Sequence, residues 1–216
     1  MAGMTGGSSA VRGRLIAFEG GEGCGKSTQA QLLATSLDAV LTREPGGTPA
    51  GERIREMLLG NEVGEIGAPA ELLLMAAARA EHVRQLILPA LAAGRWVVTD
   101  RFAGSTLAYQ GYGRAVPLEA VRAISGFAAA GIVADLNILL ELPEEVALSR
   151  RCGRPDRIEA ADGGFHERVV AGFCKIAASD TAHWSVVEAE GTPDEVGGRV
   201  LEIVRARLGD HRVARA

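Results

Sequence analysis

The chain has 216 residues, of which 47% are hydrophobic, and its formal net charge is −4. This length indicates one domain with room for a small insertion, and the apolar content excludes a disordered chain. The weak negative charge and the lack of an apolar run of transmembrane length argue against nucleic acid or a membrane as a partner.

The first predicted elements surround a glycine-rich loop. Residues 1–12 are small and polar without the hydrophobic centre of a signal peptide, and we expect them to form a disordered leader. The apolar run at 15–18 predicts a buried strand, and leucines at helical spacing predict a helix over 27–37. Between them, residues 20–28 read GGEGCGKST and match G-x-x-x-x-G-K-[ST], the phosphate-binding P-loop.

A P-loop placed between a strand and a helix predicts nucleotide binding. Its glycines let successive N–H groups point into one concavity, which opens at a helix N-terminus and favours an anion. We expect Lys26 to reach the β- and γ-phosphates and Ser27 to help hold Mg²⁺. The candidate ATP-binding residues of the loop are Gly20, Gly21, Glu22, Gly23, Cys24, Gly25, Lys26, Ser27 and Thr28.

Strands and helices continue to alternate along the chain. Thr48 and Pro49 predict the start of a helix that ends at Gly60, and a long helical stretch over 69–93 is expected to kink at Pro89. The alternation predicts an α/β fold in which helices cover both faces of a parallel sheet and ligands lie beyond the carboxyl ends of the strands. Further strands are predicted at 39–42, 96–99, 136–142 and 184–187, and further helices at 117–130, from 143, at 165–179 and at 193–208.

Polar residues after two of these strands are expected to join the P-loop at one edge of the sheet. Arg43 and Glu44 either bind a second phosphate and a sugar hydroxyl or metal water, or form a solvent-exposed ion pair. Asp100, followed by Arg101, is placed to hold a Mg²⁺ water, with a helix cap or a surface pair as the alternative.

Two further groups of charged residues are candidates for ligand contacts. Arg79 lies within an apolar helix and requires either a partner or a position on the solvated face, while His82 is interpreted as a structural histidine. Residues 150–164 combine glycines with arginines, which favours a lid over phosphates rather than a solvated basic loop. The arginines of this segment are Arg150, Arg151, Arg154 and Arg157.

With these residues in view, the chain resembles the thymidylate kinase family from about residue 15 to residue 208. The resemblance rests on FEG leading into the P-loop, TREPGGT at 42–48, AAR at 77–79, DRF at 100–102, STLAYQG at 105–111 and DRIE at 156–159. It implies a P-loop NTPase-type parallel sheet in a nucleoside monophosphate kinase domain over 13–210, with a lid at about 150–164 and a frayed tail at 211–216. The arginines lie in the predicted lid and none lies inside the P-loop, and this placement is similar to that in the bacterial branch of the family.

The resemblance implies phosphoryl transfer from ATP to dTMP, giving ADP and dTDP and feeding dTTP and DNA synthesis. The implied catalytic residues are Lys26, Arg43, Arg101 and Arg154, with Mg²⁺ held by Ser27 and Asp100 directly or through water. Arg150 is expected to lie against adenine. The implied dTMP-binding residues are Glu22, Arg43, Glu44, Met75, Arg79, Arg101, Thr106, Tyr109 and Gln110.

One position departs from the family pattern and keeps a second substrate class open. Met75 stands where the family usually has a phenylalanine that stacks on thymine, and its thioether covers a base through dispersion instead. The alternatives are another nucleoside or nucleoside monophosphate kinase and, from a different class, a non-catalytic nucleotide switch. The resemblance also implies a homodimer, and three irregularly spaced cysteines favour the cytoplasm.

Overall fold

The computed structural model describes residues 12–150 and 155–209. The predicted leader up to residue 11, the predicted tail and the predicted lid residues Arg151 and Arg154 therefore lie outside the described residues. Arg12, the last residue of the predicted leader, is described and pairs with Asp135 at 3.1 Å. Within the described ranges, no helix combines the length and the apolar character needed to cross a membrane.

A five-stranded parallel sheet organises the domain and confirms the predicted fold class. Its strand order is β2-β3-β1-β4-β5. In this register Asp100 lies beside both Phe18 and Arg43, so the carboxyl ends of three strands meet at one edge. The strands are β1 (Leu15–Glu19), β2 (Val40–Arg43), β3 (Val97–Asp100), β4 (Leu136–Glu141) and β5 (Trp184–Glu188).

Helices cover both faces of this sheet because the strand residues alternate in direction. Ile16 and Phe18 pack in one core against the first and last helices, whereas Leu15 and Ala17 pack in a core on the other face. The helices are α1 (Lys26–Leu37), α2 (Pro49–Leu59), α3 (Ala68–His82), α4 (Leu88–Ala92), α5 (Ala103–Thr106), α6 (Leu118–Ala128), α7 (Glu144–Ser149), α8 (Gly163–Ser179) and α9 (Pro193–Leu208).

The long helix expected over 69–93 is interrupted before Pro89 rather than at it. Residues Val83–Ile87 form a π-helical turn between α3 and α4, and the Leu88 amide donates to the Val83 carbonyl. A proline lacks an N–H, and its ring crowds the carbonyl four residues earlier. A wider turn placed before the proline accommodates both effects.

A helical segment over residues 103–113 was not predicted by the sequence. It comprises α5 and a π-helical continuation at Leu107–Gly113. Its glycines are poor helix formers, but they permit close packing: a Cβ on Gly104 would lie 2.6 Å from the Trp184 ring and 2.7 Å from Glu19 Oε1. Tertiary contacts therefore decide the conformation of this segment, which carries Thr106, Tyr109 and Gln110.

Candidate active site

The P-loop joins β1 to α1 in the geometry that its glycines require. Gly23 and Gly25 have φ values of 78° and 90°, and a Cβ on Gly23 would lie 2.3 Å from the Ala147 carbonyl oxygen. The Lys26 Nζ folds back to the Gly21 carbonyl at 2.5 Å. The loop thus places an ammonium group beside the helix N-terminus, where backbone N–H groups already favour an anion.

Cys24 is a packed residue of this loop. Its side chain is buried, and Sγ donates to the Gly21 carbonyl at 3.0 Å. This placement supports the interpretation of Cys24 as a small residue that fits the loop, and it removes the exposure that a reactive thiol would need.

Ser27 and Asp100 meet at the end of β3. The Ser27 hydroxyl donates to Asp100 Oδ2. The second carboxylate oxygen, Asp100 Oδ1, is buried and has no hydrogen-bond partner among the described residues. A buried carboxylate oxygen without a donor is unfavourable unless another group, such as a cation, satisfies it.

Arg101 is held in a left-handed backbone conformation, with φ 73°, directly after β3. Its guanidinium donates to Glu22, to the Gly20 carbonyl at 3.1 Å and to the Tyr109 hydroxyl at 3.1 Å. Burial alone would lower the pKa of Arg101, but the neighbouring Glu22 carboxylate raises it well above its ordinary value. Arg101 is therefore a fixed positive charge at the edge of the sheet.

Arg43 approaches the same edge from β2 and is more exposed. It pairs with Glu52 at 3.0 Å, and Glu52 also accepts from the Gly47 amide at 2.9 Å. The hydrogen bonds from Gly47 and Arg43 lower the pKa of Glu52 and keep it ionised. Arg43 therefore has a partner at the end of β2, although about half of its side chain remains in contact with solvent.

Glu44 and Arg79 form a buried pair, which corrects both solvent-exposed alternatives for these residues. The Arg79 Nη2 lies 2.7 Å from Glu44 Oε2, and their side chains are 2% and 5% exposed. His82 is fully buried and links the other Glu44 oxygen, at 3.0 Å, to the Thr42 hydroxyl, at 2.7 Å. Burial raises the pKa of Glu44, but the Arg79 charge and the His82 hydrogen bond outweigh it and leave that pKa below its ordinary value.

The strand-end residues line one cavity of about 1250 Å³. This cavity brings together residues that are up to 174 positions apart in the sequence, from Glu22 to Val196, as expected for the carboxyl edge of a parallel sheet. The predicted site residues on its surface are Glu22, Gly23, Cys24, Gly25, Lys26, Ser27, Thr28, Arg43, Glu44, Asp100, Arg101 and Arg150.

A second, narrow cavity adjoins the first at Glu44 and Arg101. Its volume of about 30 Å³ is a small fraction of that of the first cavity. The predicted residues that line this cavity are Glu44, Met75, Arg79, Arg101, Thr106, Tyr109 and Gln110.

Several polar residues of the site were missed by the sequence analysis. Arg55 lines the large cavity and donates to the Pro45 carbonyl at 2.9 Å. Ser125 accepts from Arg79 at 2.7 Å, and Glu71 accepts from Gln110 at 2.9 Å. Like Arg79, Glu71 is a charged residue within an apolar helix, and this pattern could have identified it as a residue with a buried partner. No pattern in the sequence identifies Ser125.

The predicted lid is described only in part. Arg150 lines the large cavity and donates to the Ala189 carbonyl at 3.4 Å. Arg157 turns towards the domain and pairs with Glu71 at 2.6 Å. Arg154, the lid arginine expected to act in catalysis, lies outside the described residues.

A P-loop lysine and two strand-end arginines on one cavity of a parallel sheet define a P-loop kinase, an enzyme that transfers a phosphoryl group from a bound nucleotide. The chain matches the family model described as thymidylate kinase over residues 18–200. The thymidylate kinase of Parasynechococcus marenigrum (strain WH8102) is 44% identical over 211 residues, which cover 92% of this chain and 100% of that relative. The thymidylate kinase of Rhodopseudomonas palustris (strain TIE-1) is 45% identical over 210 residues, covering 92% and 91%.

A solved structure shows the same fold. The crystal structure of thymidylate kinase from Ehrlichia chaffeensis matches with a TM-score of 0.74 at 28% sequence identity, covering 89% of this chain and 99% of that chain. The chain belongs to the thymidylate kinase family, and its reaction is phosphoryl transfer from ATP to dTMP.

Proposed function

We propose that ATP and dTMP meet in the large cavity, with the donor on the P-loop and the acceptor phosphate between Arg43 and Arg101. One observation carries this proposal: Lys26, Asp100, Arg43 and Arg101 all line the same cavity. These groups supply the positive charge and the metal-binding oxygens that a transferred phosphoryl group requires.

On the donor side, the amides of the P-loop and Lys26 bind the phosphates of ATP. Arg150 is proposed to lie against adenine. This assignment is supported by its place on the wall of the large cavity beside Ala189 and Gly191, and by the affinity of a planar guanidinium for a flat aromatic face.

Mg²⁺ is proposed to bind at Ser27 and Asp100. Both offer hard oxygen donors of the kind that Mg²⁺ prefers, and the buried Asp100 Oδ1 lacks a partner among the described residues. A site with so few protein ligands suits Mg²⁺, which keeps waters and shares phosphate oxygens. When bound, the ion supplies neutralising charge to the donor phosphates.

On the acceptor side, the thymine is proposed to enter the narrow cavity. Arg79 and Gln110 would hydrogen-bond the base, Met75 would cover its face, and Tyr109 would lie under the deoxyribose. Glu44 is assigned a supporting role here, because both of its oxygens are occupied by Arg79 and His82. Thr106 likewise accepts from Arg79 at 2.8 Å and helps to orient it.

The chemistry then depends on positioning and charge. The acceptor is an ionised phosphate oxygen, so no strong general base is required. Lys26, Arg43 and Arg101 hold the two phosphates together and offset the charge of the transferred group. The catalytic role proposed for Arg154 rests on the family resemblance.

We further propose a cytoplasmic homodimer. Large apolar side chains are exposed on three helices: Met57 on α2, Leu73 on α3 and Phe127, 89% exposed, on α6. Because α3 packs against both α2 and α6, these side chains belong to neighbouring elements, as the surface of a second copy would need. The thiols of Cys24 and Cys174 are free, which suits a reducing compartment.

The chain offers a matched test of the P-loop assignment, because Lys26 and Lys175 are its only lysines. Lys175 is exposed on α8, with Nζ 5.6 Å from the centre of the Tyr112 ring. We expect Lys26→Ala to lower kcat with ATP and dTMP by at least about 100-fold, the cost of removing one positioned donor. Lys175→Ala should keep kcat within about twofold, as for a surface change away from the site.

Both variants should keep the circular dichroism spectrum of the parent protein. Near-normal turnover by folded Lys26→Ala would overturn the assignment of the donor site.

A further inference from the structure

Glu71 is a buried carboxylate that joins the proposed base site to two arginines. It lies on α3, is fully buried, and contacts three side chains from two other segments. Its Oε1 accepts from Gln110 Nε2 at 2.9 Å and from Arg114 Nε at 3.3 Å. Its Oε2 accepts from Arg157 Nη2 at 2.6 Å and from Arg114 Nη2 at 3.3 Å.

These contacts keep Glu71 ionised. Burial raises the pKa of its carboxyl group, but the hydrogen bonds from Gln110, Arg157 and Arg114 outweigh burial and lower the pKa. An ionised carboxylate can only accept hydrogen bonds. Glu71 therefore requires the nitrogen end of the Gln110 amide to face it.

The orientation of Gln110 follows from this requirement. A glutamine amide has a donating end and an accepting end, and Glu71 takes the donating end. Gln110 is 1% exposed and lines the narrow cavity. Within residues 12–150 and 155–209, no hydrogen bond to its side-chain oxygen is formed, so that oxygen is the end available to a ligand in the cavity.

Arg79 complements this acceptor with a donor on the same cavity. Its hydrogen bonds use three of its five N–H groups, one each to Glu44, Ser125 and Thr106, and Nη2 also lies 2.7 Å from Glu44 Oε2. Nη1 has a second N–H besides the one that it donates to Ser125, and the residue lines the cavity. The cavity thus offers a guanidinium donor and an amide acceptor to a base edge.

That pattern discriminates between pyrimidines. Thymine and uracil present a carbonyl oxygen at position 4 and an N–H at position 3, which match a donor and an acceptor. Cytosine presents an amino group at position 4 and a bare nitrogen at position 3, so it opposes both.

We propose that Glu71 is a specificity-determining positioning residue, which makes the enzyme select a 4-keto over a 4-amino pyrimidine by fixing the orientation of the Gln110 amide. The proposal rests on the base-site assignment under the proposed function. It extends that assignment to a residue that does not line the narrow cavity.

The arginines explain why a carboxylate is needed at position 71. In Glu71→Gln, Arg157 and the Nη2 of Arg114 can only donate, so at the Oε2 place they favour the oxygen of the new amide over its nitrogen. The nitrogen would then take the Oε1 place, at the cost of the 3.3 Å contact with Arg114 Nε, and would face Gln110, which would have to turn and present its own nitrogen to the cavity. The substitution is nearly isosteric, yet it inverts the polarity offered to the base.

The test compares dTMP with 5-methyl-dCMP, two acceptors that differ only at position 4 and at the position 3 proton. For Glu71→Gln we expect kcat/KM with dTMP to fall roughly 10- to 100-fold, mainly through KM, the effect of one buried polar mismatch. We expect kcat/KM with 5-methyl-dCMP to stay level or rise. The kcat/KM for dTMP divided by the kcat/KM for 5-methyl-dCMP should therefore fall at least tenfold.

Arg114→Gln is the matched control. It removes a partner of Glu71 but leaves the carboxylate, so the amide of Gln110 keeps its orientation. The kcat/KM for dTMP divided by that for 5-methyl-dCMP should therefore stay within about threefold of the parent value, as for a substitution outside the base pocket. A purely structural role of Glu71 would lower activity on both acceptors equally and leave the ratio unchanged, which would overturn the proposal.

Gln110→Ala keeps the proposal testable should Glu71→Gln not fold. Removing the amide should lower the ratio of kcat/KM for dTMP to kcat/KM for 5-methyl-dCMP strongly. The double variant Gln110→Ala with Glu71→Gln should show the same ratio as Gln110→Ala alone. An unchanged ratio in folded Gln110→Ala would refute the proposal. Failure of the parent enzyme to phosphorylate dTMP would instead refute the proposed function.

Discussion

Glu19, at the end of β1, is a buried carboxyl group whose ionisation opposes folding. It is 0% exposed; Oε1 accepts from the Phe102 amide at 3.1 Å and Oε2 from the Ser105 hydroxyl at 2.5 Å. Burial raises its pKa from 4.5 to about 7, although these hydrogen bonds and the charge of Arg101 act in the opposite direction. We predict that Glu19→Gln becomes increasingly stabilising, relative to the parent, as the pH rises.

The sign and size of this effect follow from the two pKa values. Between pH 4.5 and about pH 7 the unfolded chain has released the Glu19 proton while the folded chain retains it. The folded state then binds more protons, so the free energy of unfolding falls as the pH rises and levels off above pH 7. The loss between about pH 5 and about pH 8 amounts to roughly 2.5 kcal/mol.

Glutamine cannot titrate, yet it reproduces the contacts of Glu19. Its oxygen can accept from the Phe102 amide, and its nitrogen can donate to the Ser105 hydroxyl oxygen. Other titrating groups are shared by the two proteins and cancel in their difference. Urea unfolding at both pH values therefore isolates Glu19.

We expect the free energy of unfolding of Glu19→Gln, minus that of the parent, to rise by about 2.5 kcal/mol between about pH 5 and about pH 8. A constant difference across this range would show that Glu19 ionises near its ordinary pKa in the folded protein, and the argument from burial would be wrong.

Two other substitutions test the buried pair and the metal assignment. His82→Ala should lower the free energy of unfolding by about 3 kcal/mol, because it leaves a cavity and a Glu44 oxygen unpaired, whereas His183→Ala, at an exposed site, should change it by less than about 0.5 kcal/mol. Equal losses in urea unfolding would contradict the structural role of His82. Asp100→Asn should raise the Mg²⁺ concentration for half-maximal activity roughly 10-fold or more at fixed ATP and dTMP, and an unchanged Mg²⁺ titration of the folded variant would refute that assignment.

The parts of the site that follow strand ends could be predicted from the sequence. The P-loop, Arg43, Asp100 and Arg101 each come directly after an apolar run, and a parallel sheet brings the carboxyl ends of such runs together. Local patterns also identified the cap of α2, because Thr48 accepts from the Gly51 amide as predicted.

The partners of buried charges could not be predicted in the same way. Arg79 was recognised as a charge in an apolar helix, but its partners Glu44 and Ser125 lie 35 and 46 residues away on other elements. Glu44 was interpreted as a ligand-binding or exposed residue because its local sequence is a turn with an adjacent arginine. Only the packing of α3 against the end of β2 and against α6 decides which charges meet.

The helical segment at 103–113 was missed for a related physical reason. Gly104, Gly111 and Gly113 lower helix propensity, so the local sequence gives no helical signal. In the structure these glycines lie against Trp184, Leu118 and Phe165, where a Cβ would come within 2.6 Å of each side chain. Close packing, which no local pattern records, therefore offsets their low propensity.

The most direct test of the account is a comparison of acceptors with ATP as the donor. Initial rates over a concentration range of dTMP, dUMP, UMP, CMP and dGMP give kcat/KM for each nucleotide in one coupled assay. We expect the highest kcat/KM for dTMP. A higher value for a ribonucleotide, or no transfer to dTMP, would contradict it.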